Sequence, residues 1–226
     1  MTRRRSPGGR RRTLPPASDR PTSGHDVQLI GPSEAKPAAD AIARGFQDNE
    51  VWMWLLPDDR VRARVERRQY RSVVRHIFVS RRSGWISLRD DGEAAGGVLW
   101  YPPGTKRHSF RETLAESIPF LPAGLPHLGK ATRLQRMVVS NWPKEPHWYL
   151  SVLSVSPESQ RQGHGGALLE PGLAKADRQG VGCWLETQRE SNIPFYARFG
   201  FKLLKELEIE PEVRLWLMWR PPACLA

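Results

Sequence analysis

The segment from Trp148 to Gly180 constrains the fold of this chain more than any other stretch. It begins with an apolar run, 148–155, that is typical of a buried strand, and a loop rich in glycine and polar residues, 160–166, follows. Apolar residues then recur at helical spacing until Gly180. A strand, a glycine-rich loop and a helix in this order point bare backbone N–H groups and the positive helix end at one anion. The segment therefore predicts a binding site for a pyrophosphate.

Two common nucleotide-binding motifs do not fit this loop. A P-loop requires Lys and then Ser or Thr after its last glycine, but Gly165 is followed by Gly166 and Ala167. The dinucleotide fingerprint requires the spacing G-x-G-x-x-G, which Gly163, Gly165 and Gly166 do not provide. The loop instead fits Q-x-x-G-x-G, with Gln160, Gly163 and Gly165 at the fixed positions.

This pattern resembles the acetyl-CoA signature of the GNAT family of N-acetyltransferases. A second segment, Asn192 to Phe201, resembles the family's N-x-x-F-Y-x-x-x-G-F motif, and it follows a short predicted strand at 183–187. From Pro143 onward the chain is similar to the puromycin N-acetyltransferase branch of the family. The resemblance implies a mixed α/β class and a GNAT fold, in which helices flank a central mixed sheet and acetyl-CoA lies where two central strands splay apart. It also implies transfer of an acetyl group to a primary amine of a small molecule, by direct attack on the thioester.

The resemblance further implies which residues contact acetyl-CoA. The backbone at the end of the central strand would bind the thioester oxygen, and the loop would bind the pyrophosphate with help from Arg161 and Gln162. Asn192 would bind the pantetheine arm, cap the next helix, or do both. His164 is expected to face solvent, and a role as base is not expected. The predicted cofactor-binding residues are Leu153, Ser154, Val155, Gln160, Arg161, Gln162, Gly163, His164, Gly165, Gly166, Asn192 and Tyr196.

Tyr196 is the predicted general acid, because a phenol with a pKa near 10 is matched to a thiol leaving group of similar basicity. The alternative is a buried aromatic ring that packs beside Phe195 and Phe199.

Glu186, at the end of its predicted strand, is the candidate base that removes a proton from the acceptor ammonium, directly or through a water. The alternative is a surface ion pair with Arg189 or Arg198.

The resemblance implies that the loop after the first helix walls the acceptor side. Here that loop, 46–57, carries Trp52 and Trp54, and Trp100 and Tyr101 end a predicted strand that could face the same cleft. Such a cluster would suit an aromatic or puromycin-like amine. The alternative is a core that is rich in tryptophan.

Composition bounds the remaining possibilities. The 226 residues are 39% hydrophobic, which suits one domain, predicted at 27–226, after a disordered basic tail at 1–26. No run is apolar enough for a membrane span, the scattered His residues predict no metal site, and the two cysteines, Cys183 and Cys224, favour a reducing cytoplasm. We expect a monomer or homodimer without a nucleic-acid partner, apart from non-specific contacts through the arginines of the tail.

Three other functions remain open. The chain could acetylate protein lysines or N-termini, bind CoA without catalysis, or bind nucleic acid, as its net charge of +11 would allow. The last possibility leaves the glycine loop and the 192–201 motif unexplained, and a CoA sensor would not need Tyr196 or Glu186.

Patterns elsewhere predict the other elements. We expect a strand at 27–30, a helix at 34–45, a helix capped by Asp58 and Asp59, and a hairpin of strands 85–89 and 94–101. Residues 105–141 should be helical in pieces broken by prolines, and strands near 202–208 and 213–219 should complete the sheet.

Overall fold

A computed structural model describes residues 24–105, 116, 118–119, 125–211 and 213–223. Its strands are β1 (Asp26–Leu29), β2 (Gly84–Leu88), β3 (Ala94–Tyr101), β4 (His147–Val155), β5 (Gly182–Thr187), β6 (Lys202–Glu210) and β7 (Val213–Arg220). Its helices are α1 (Ala35–Gly45), α2 (Glu50–Leu55), α3 (Asp59–Val73), α4 (Leu125–Ser140), α5 (His164–Arg178) and α6 (Ile193–Ala197). A π-helical turn, Val74–Phe78, and a last α-turn, Val79–Arg81, extend α3.

The described strands form one seven-stranded sheet in the order β1-β2-β3-β4-β5-β7-β6. β4 and β5 run parallel, whereas the other neighbouring strands of this sheet are antiparallel. The hairpin of β2 and β3 and the closing pair β6 and β7 confirm the predicted strands. The mixed sheet with flanking helices confirms the predicted fold class.

Helices α1 to α4 cover one face of the sheet. Alanines of α1 pack against the extended α3 and against strand residues that include Ile86, Leu99 and Tyr101. The side chain of Asp58 accepts a hydrogen bond from the backbone N–H of Val61 at 2.8 Å, so it caps α3 as predicted. Helices α2 and α4 cover the other half of this face, over β5 and β7. We call this side of the sheet the first face.

Helices α5 and α6 cover the second face. Residues of α5 pack against Trp100, Trp148 and Leu185, which project from β3, β4 and β5. A Cβ atom on Gly172 would lie 2.4 Å from the indole of Trp100, so only glycine allows this close approach. Helix α5 continues through Pro171 to Arg178.

Several elements differ from the sequence-based expectation. The predicted loop 46–57 contains helix α2, because Asn49 accepts a hydrogen bond from the backbone N–H of Trp52 and so caps a short helix. Pro126 lies in the first turn of α4, where a proline is tolerated, and therefore does not break that helix. Strand β1 begins at Asp26, one residue before the predicted strand start at 27. Residues 1–23 of the predicted tail lie outside the described residues, as does Cys224.

Candidate active site

The central feature of the site is the separation of β4 from β5. These strands pair from His147 with Gly182 to Leu150 with Leu185, and their pairing ends there although both strands continue. β4 remains paired with β3 as far as Val155, with a register shift between Leu99 and Trp100. Residues 151–155 therefore have an edge that faces away from β3 and is not used in the ladder with β5. This opening corresponds to the splay that the sequence resemblance implied.

The predicted oxygen-binding stretch, Leu153 to Val155, lies along this open edge. The hydroxyl of Ser154 donates a hydrogen bond to the backbone carbonyl of Ile42 at 2.8 Å, so its side chain anchors α1. Leu153 and Val155 are partly buried against the core of the second face. The side chain of Ser154 is therefore engaged, whereas the backbone of this stretch borders the opening.

The glycine loop connects β4 to α5 and is held by its own side chains. The Gln160 amide donates to the carbonyl of Val155 at 3.1 Å, and the Gln162 amide donates to the carbonyl of Glu158 at 2.9 Å. The Gln162 side chain is exposed and makes this contact within the loop, so its contact with the pyrophosphate stays a prediction. The Arg161 side chain is exposed, and its backbone has a positive φ of 60°.

Gly163 is the N-cap residue before α5 and has a φ of 96°, a conformation that favours glycine. A Cβ at this position would also lie 2.6 Å from Nε2 of His25. The N–H groups of Gly166 and Ala167 turn back to the Gly163 carbonyl, whereas the earlier N–H groups at a helix start have no acceptor within the helix. Those of His164 and Gly165 are thus the ones suited to an anion.

The side chain of His164 does not face solvent, contrary to expectation. It is buried beneath the loop, where its Nδ1 lies 2.8 Å from the hydroxyl of Ser87 and its ring lies 4.4 Å from that of His25. Burial and the neighbouring His25 lower the pKa of His164. Only the backbone of this residue can contribute to the loop's anion site.

Helix α6 packs against the first turn of α5. A Cβ on Gly165 would lie 3.5 Å from the ring of Phe195, and one on Gly166 would lie 3.3 Å from Phe199. This contact fixes Tyr196 on the second face, where it is buried edge-on to the rings of Phe195 and Phe201. Burial and, after it, the charge of Glu186 raise the pKa of the Tyr196 hydroxyl above its ordinary value. This residue therefore keeps its proton at neutral pH, but its pKa is not the close match to a thiol that the sequence prediction assumed.

Asn192 precedes α6 and ties it to the end of β5. Its amide donates a hydrogen bond to the hydroxyl of Thr187 at 3.0 Å, and it makes no side-chain cap for α6. Asn192 thus occupies the N-cap position, but its side chain does not make the capping hydrogen bond that the prediction expects.

Glu186 lies on the first face, beside the opening between the strands. Its Oε1 accepts a hydrogen bond from the hydroxyl of Tyr149, while Oε2 is shielded from solvent and has no hydrogen-bond donor among the described residues. Burial raises the pKa of Glu186 to about 7, although the hydrogen bond from Tyr149 acts in the opposite direction. A carboxylate of this kind can exchange a proton near neutral pH.

The surface ion pairs proposed as an alternative for Glu186 are absent from the described residues. Arg189 instead donates to the backbone carbonyl of Asp48, and Arg198 lies over the ring of Phe195. The amide of Asn49 also donates to the side-chain oxygen of Gln188 at 3.3 Å. These contacts join the segment between α1 and α2 to the segment after β5, and so close one side of the site.

The aromatic residues predicted to bind the acceptor divide between the two faces. Tyr101 lies on the first face, where its ring stacks on Tyr149 at 5.9 Å and its hydroxyl donates to Glu116 at 2.8 Å. Trp52 packs with the same cluster. Trp100 is fully buried against α5 on the opposite face, which corrects the expectation that it lines the acceptor cleft. Adjacent strand residues point to opposite faces, so Trp100 and Tyr101 could not both face one cleft.

Trp54 occupies the wall formed by α2 and α4. The ammonium of Lys130 lies 4.9 Å from the centre of its ring and also donates to its backbone carbonyl at 3.1 Å. Trp52 instead donates from its indole N–H to the hydroxyl of Tyr70 at 3.2 Å. Each indole is partly buried, so each one packs into the protein with part of its surface and is exposed with the rest.

Tyr149 is the site residue that sequence reasoning missed. It is part of the predicted central strand, but its contact with Glu186 depends on the register between β4 and β5. The only sequence signal is that a tyrosine alternates with the apolar residues Trp148 and Leu150, which indicates the opposite face.

Other kinds of site were also sought in the described part of the chain. No group of three or more His, Cys, Asp or Glu side chains there could hold a metal ion. None of the helices described is both long and apolar enough to cross a lipid bilayer.

This geometry agrees with comparisons with known proteins. The model of the acetyltransferase (GNAT) family matches residues 48–201, which is more than half of the chain and includes both the glycine loop and Tyr196. The protein therefore belongs to the GNAT family and is an acetyltransferase by class. Members of this family use acetyl-CoA.

Individual relatives support the same assignment. An uncharacterized N-acetyltransferase of Schizosaccharomyces pombe is 27% identical over 211 residues, covering 87% of this chain and 83% of the relative. A Corynebacterium glutamicum structure, described as histone acetyltransferase HPA2 and related acetyltransferase, matches with a TM-score of 0.63 and 20% identity, covering 88% of this chain and 97% of its own. The polyamine N-acetyltransferase of Drosophila melanogaster matches with a TM-score of 0.59 and 14% identity, covering 86% and 98%. At these identities, the two structures establish the fold alone.

Proposed function

We propose that this protein transfers the acetyl group of acetyl-CoA to a primary amine of a small molecule, and that aromatic amines such as puromycin-like aminonucleosides are its preferred acceptors. The observation that carries the proposal is that two groups able to exchange protons, Glu186 and Tyr196, lie on opposite faces of the sheet near the opening between β4 and β5. Glu186, on the first face, has a buried oxygen without a donor among the described residues, and Tyr196, on the second face, keeps its proton.

The loop at the start of α5 fits the phosphates of acetyl-CoA. Gly163 is the N-cap residue before this helix, where a side chain would collide with His25, and the N–H groups of His164 and Gly165 are suited to an anion. We assign these N–H groups, together with the exposed Arg161, to the pyrophosphate. The open edge of residues 153–155 would lie along the pantetheine arm, and Asn192 and Tyr196 would lie near its end.

Acetyl-CoA supplies an activated acetyl group as a thioester. An amine attacks such a group only when it is neutral, so Glu186 Oε2 would take a proton from the acceptor ammonium. Tyr196 would give its hydroxyl proton to the sulfur that leaves. The backbone of Leu153 to Val155 would hold the thioester oxygen through an N–H group as negative charge develops there.

The aromatic preference rests on the residues around Glu186. Tyr101 and Tyr149 stack on the same face, and Trp52 packs with them. Flat aromatic surfaces beside a buried carboxylate suit an amine that carries a ring. The rival acceptor is a polyamine, the substrate class in the name of the Drosophila relative.

The proposal predicts a defined acceptor order. Release of free thiol from acetyl-CoA should be measured with puromycin, a phenylalkylamine, spermidine and a lysine peptide at equal concentrations. We expect the first two to have the larger kcat/KM. A preference for spermidine or for the peptide would contradict the aromatic acceptor but not the acetyl transfer, whereas no thiol release with any amine would contradict the transfer itself.

A further inference from the structure

The two oxygens of Glu186 have different surroundings. Oε1 accepts a hydrogen bond from the hydroxyl of Tyr149. Oε2 is shielded from solvent, but no donor among the described residues reaches it. One oxygen is therefore engaged by the protein, and the other is left for a group that enters the site.

The fold fixes Tyr149 in the position that produces this asymmetry. Tyr149 pairs with Trp184 across the parallel strands, so Glu186, two residues further along β5, projects from the same face. On its other side Tyr149 pairs with Tyr101, and their rings stack at 5.9 Å with an angle of 11° between the planes. Trp142 packs against the same ring at 5.2 Å. With neighbours on both sides, the phenol has little freedom to turn away from Glu186.

We propose that Tyr149 is a positioning residue for acetyl transfer: it holds Oε1 of Glu186, so that Oε2 is the atom that accepts the proton of the acceptor ammonium. This inference rests on the proposed function. In the step itself, an N–H bond of the ammonium breaks and an O–H bond forms at Oε2. The electron pair stays on the nitrogen, which becomes the nucleophile, and the carboxylate becomes neutral.

The same hydrogen bond controls when Glu186 carries a charge. Burial favours the neutral carboxylic acid, and the phenol opposes this effect by stabilising the carboxylate. Burial, and then the nearby Glu186, raise the pKa of Tyr149 well above its ordinary value, so the phenol remains a donor throughout the working range of pH. Removing the phenol should raise the pKa of Glu186 further and leave less of the charged base at neutral pH.

The decisive variant is Tyr149→Phe, which keeps the ring and removes only the hydroxyl. The ratio of variant to wild-type kcat/KM should be measured from pH 6 to pH 9 with one amine, because ionisation of the amine cancels in this ratio. Loss of a hydrogen bond to a charged group typically shifts the pKa of that group by about one unit or more. We expect a loss of roughly 10-fold at low pH that recovers at pH 9, and an unchanged KM for acetyl-CoA.

Tyr101→Phe is the matched control. It removes a hydroxyl from the stacked neighbour, but this hydroxyl donates to Glu116 and not to Glu186. This variant can change the KM of the amine, but the ratio of its kcat/KM to that of the wild type should not vary with pH. Titration of the Glu186 carboxyl by carbon NMR gives a second readout that needs no catalysis, and the midpoint should rise in Tyr149→Phe only.

Two results would overturn the positioning role of Tyr149 but would leave the proposed function intact. One is a pH-independent loss in Tyr149→Phe, which would mean that the phenol only supports the wall. The other is an unchanged Glu186 midpoint. By contrast, a wild-type rate in Glu186→Gln would remove Glu186 as the base, and an inactive wild-type protein would remove the transferase function.

Discussion

The two faces of the sheet contribute different kinds of chemical group to the proposed site. On the second face, the proposed phosphate loop consists of backbone N–H groups and glycines, held by hydrogen bonds between residues close in sequence, such as Gln160 with Val155. On the first face, Glu186, Tyr149, Tyr101 and Trp52 come from separate elements and act through side chains. A site made of backbone N–H groups loses its ligand when an added side chain occupies the space. In a site made of side chains, a substitution removes only the contribution of the one group that is replaced.

The largest effect is therefore expected at the backbone site. In Gly165→Glu, the Cβ would lie at an ordinary contact distance of 3.5 Å from Phe195, so the fold can accept it. The added carboxylate would stand where the phosphates are proposed to bind, and two like charges about 4 Å apart near a protein surface repel by about 4 kcal/mol. Affinity for acetyl-CoA, measured by calorimetry, should fall on the order of 10³-fold.

Gly129→Glu provides the control for this variant. Gly129 lies in α4, and a Cβ there would meet no atom within 4 Å. This variant adds the same charge to a helix away from the loop and should bind acetyl-CoA normally. Equal affinity in Gly165→Glu and the wild type would contradict the assignment of the loop.

The next largest effect tests the proposed general acid on the second face, Tyr196. Tyr196→Phe keeps the buried ring, with its contacts to Phe195 and Phe201, and removes the hydroxyl. Loss of a general acid typically lowers turnover by roughly 10²-fold or more, so kcat should fall by about that amount. The affinity for acetyl-CoA and the melting temperature should change little. A near-normal kcat would indicate that Tyr196 serves as packing and that water protonates the thiolate.

The same contrast explains how much of the site could be predicted from sequence. Gln160 to Gly166 is one continuous segment, so its spacing alone predicted a phosphate loop after a buried strand. The contact of Tyr149 with Glu186 arises from pairing between strands that are separated by α5, and a shift of one residue would send either side chain to the other face. The orientation of Trp100 could not be inferred without knowing which face of β3 meets α5. His164 was misplaced because burial against Ser87 and His25 depends on the approach of β1 and β2.

The smallest effect is expected at the outer wall of the first face. Trp54→Ala removes an indole that is only partly buried and that also packs beneath Lys130. If an aromatic acceptor packs against this indole, the loss should be that of one aromatic contact, about 0.5–1.5 kcal/mol, which raises the KM of a puromycin-like amine roughly 2- to 13-fold.

Spermidine is the informative control for Trp54→Ala, because it has no ring to stack and its KM should remain unchanged. Trp54→Phe should restore most of the affinity for the aromatic amine. An equal rise in KM for both amines would mean that the wall of α2 and α4 collapses when the indole is lost. An unchanged KM for both would assign Trp54 to the contact with Lys130 alone and leave Tyr101, Tyr149 and Trp52 as the aromatic surface available to an acceptor.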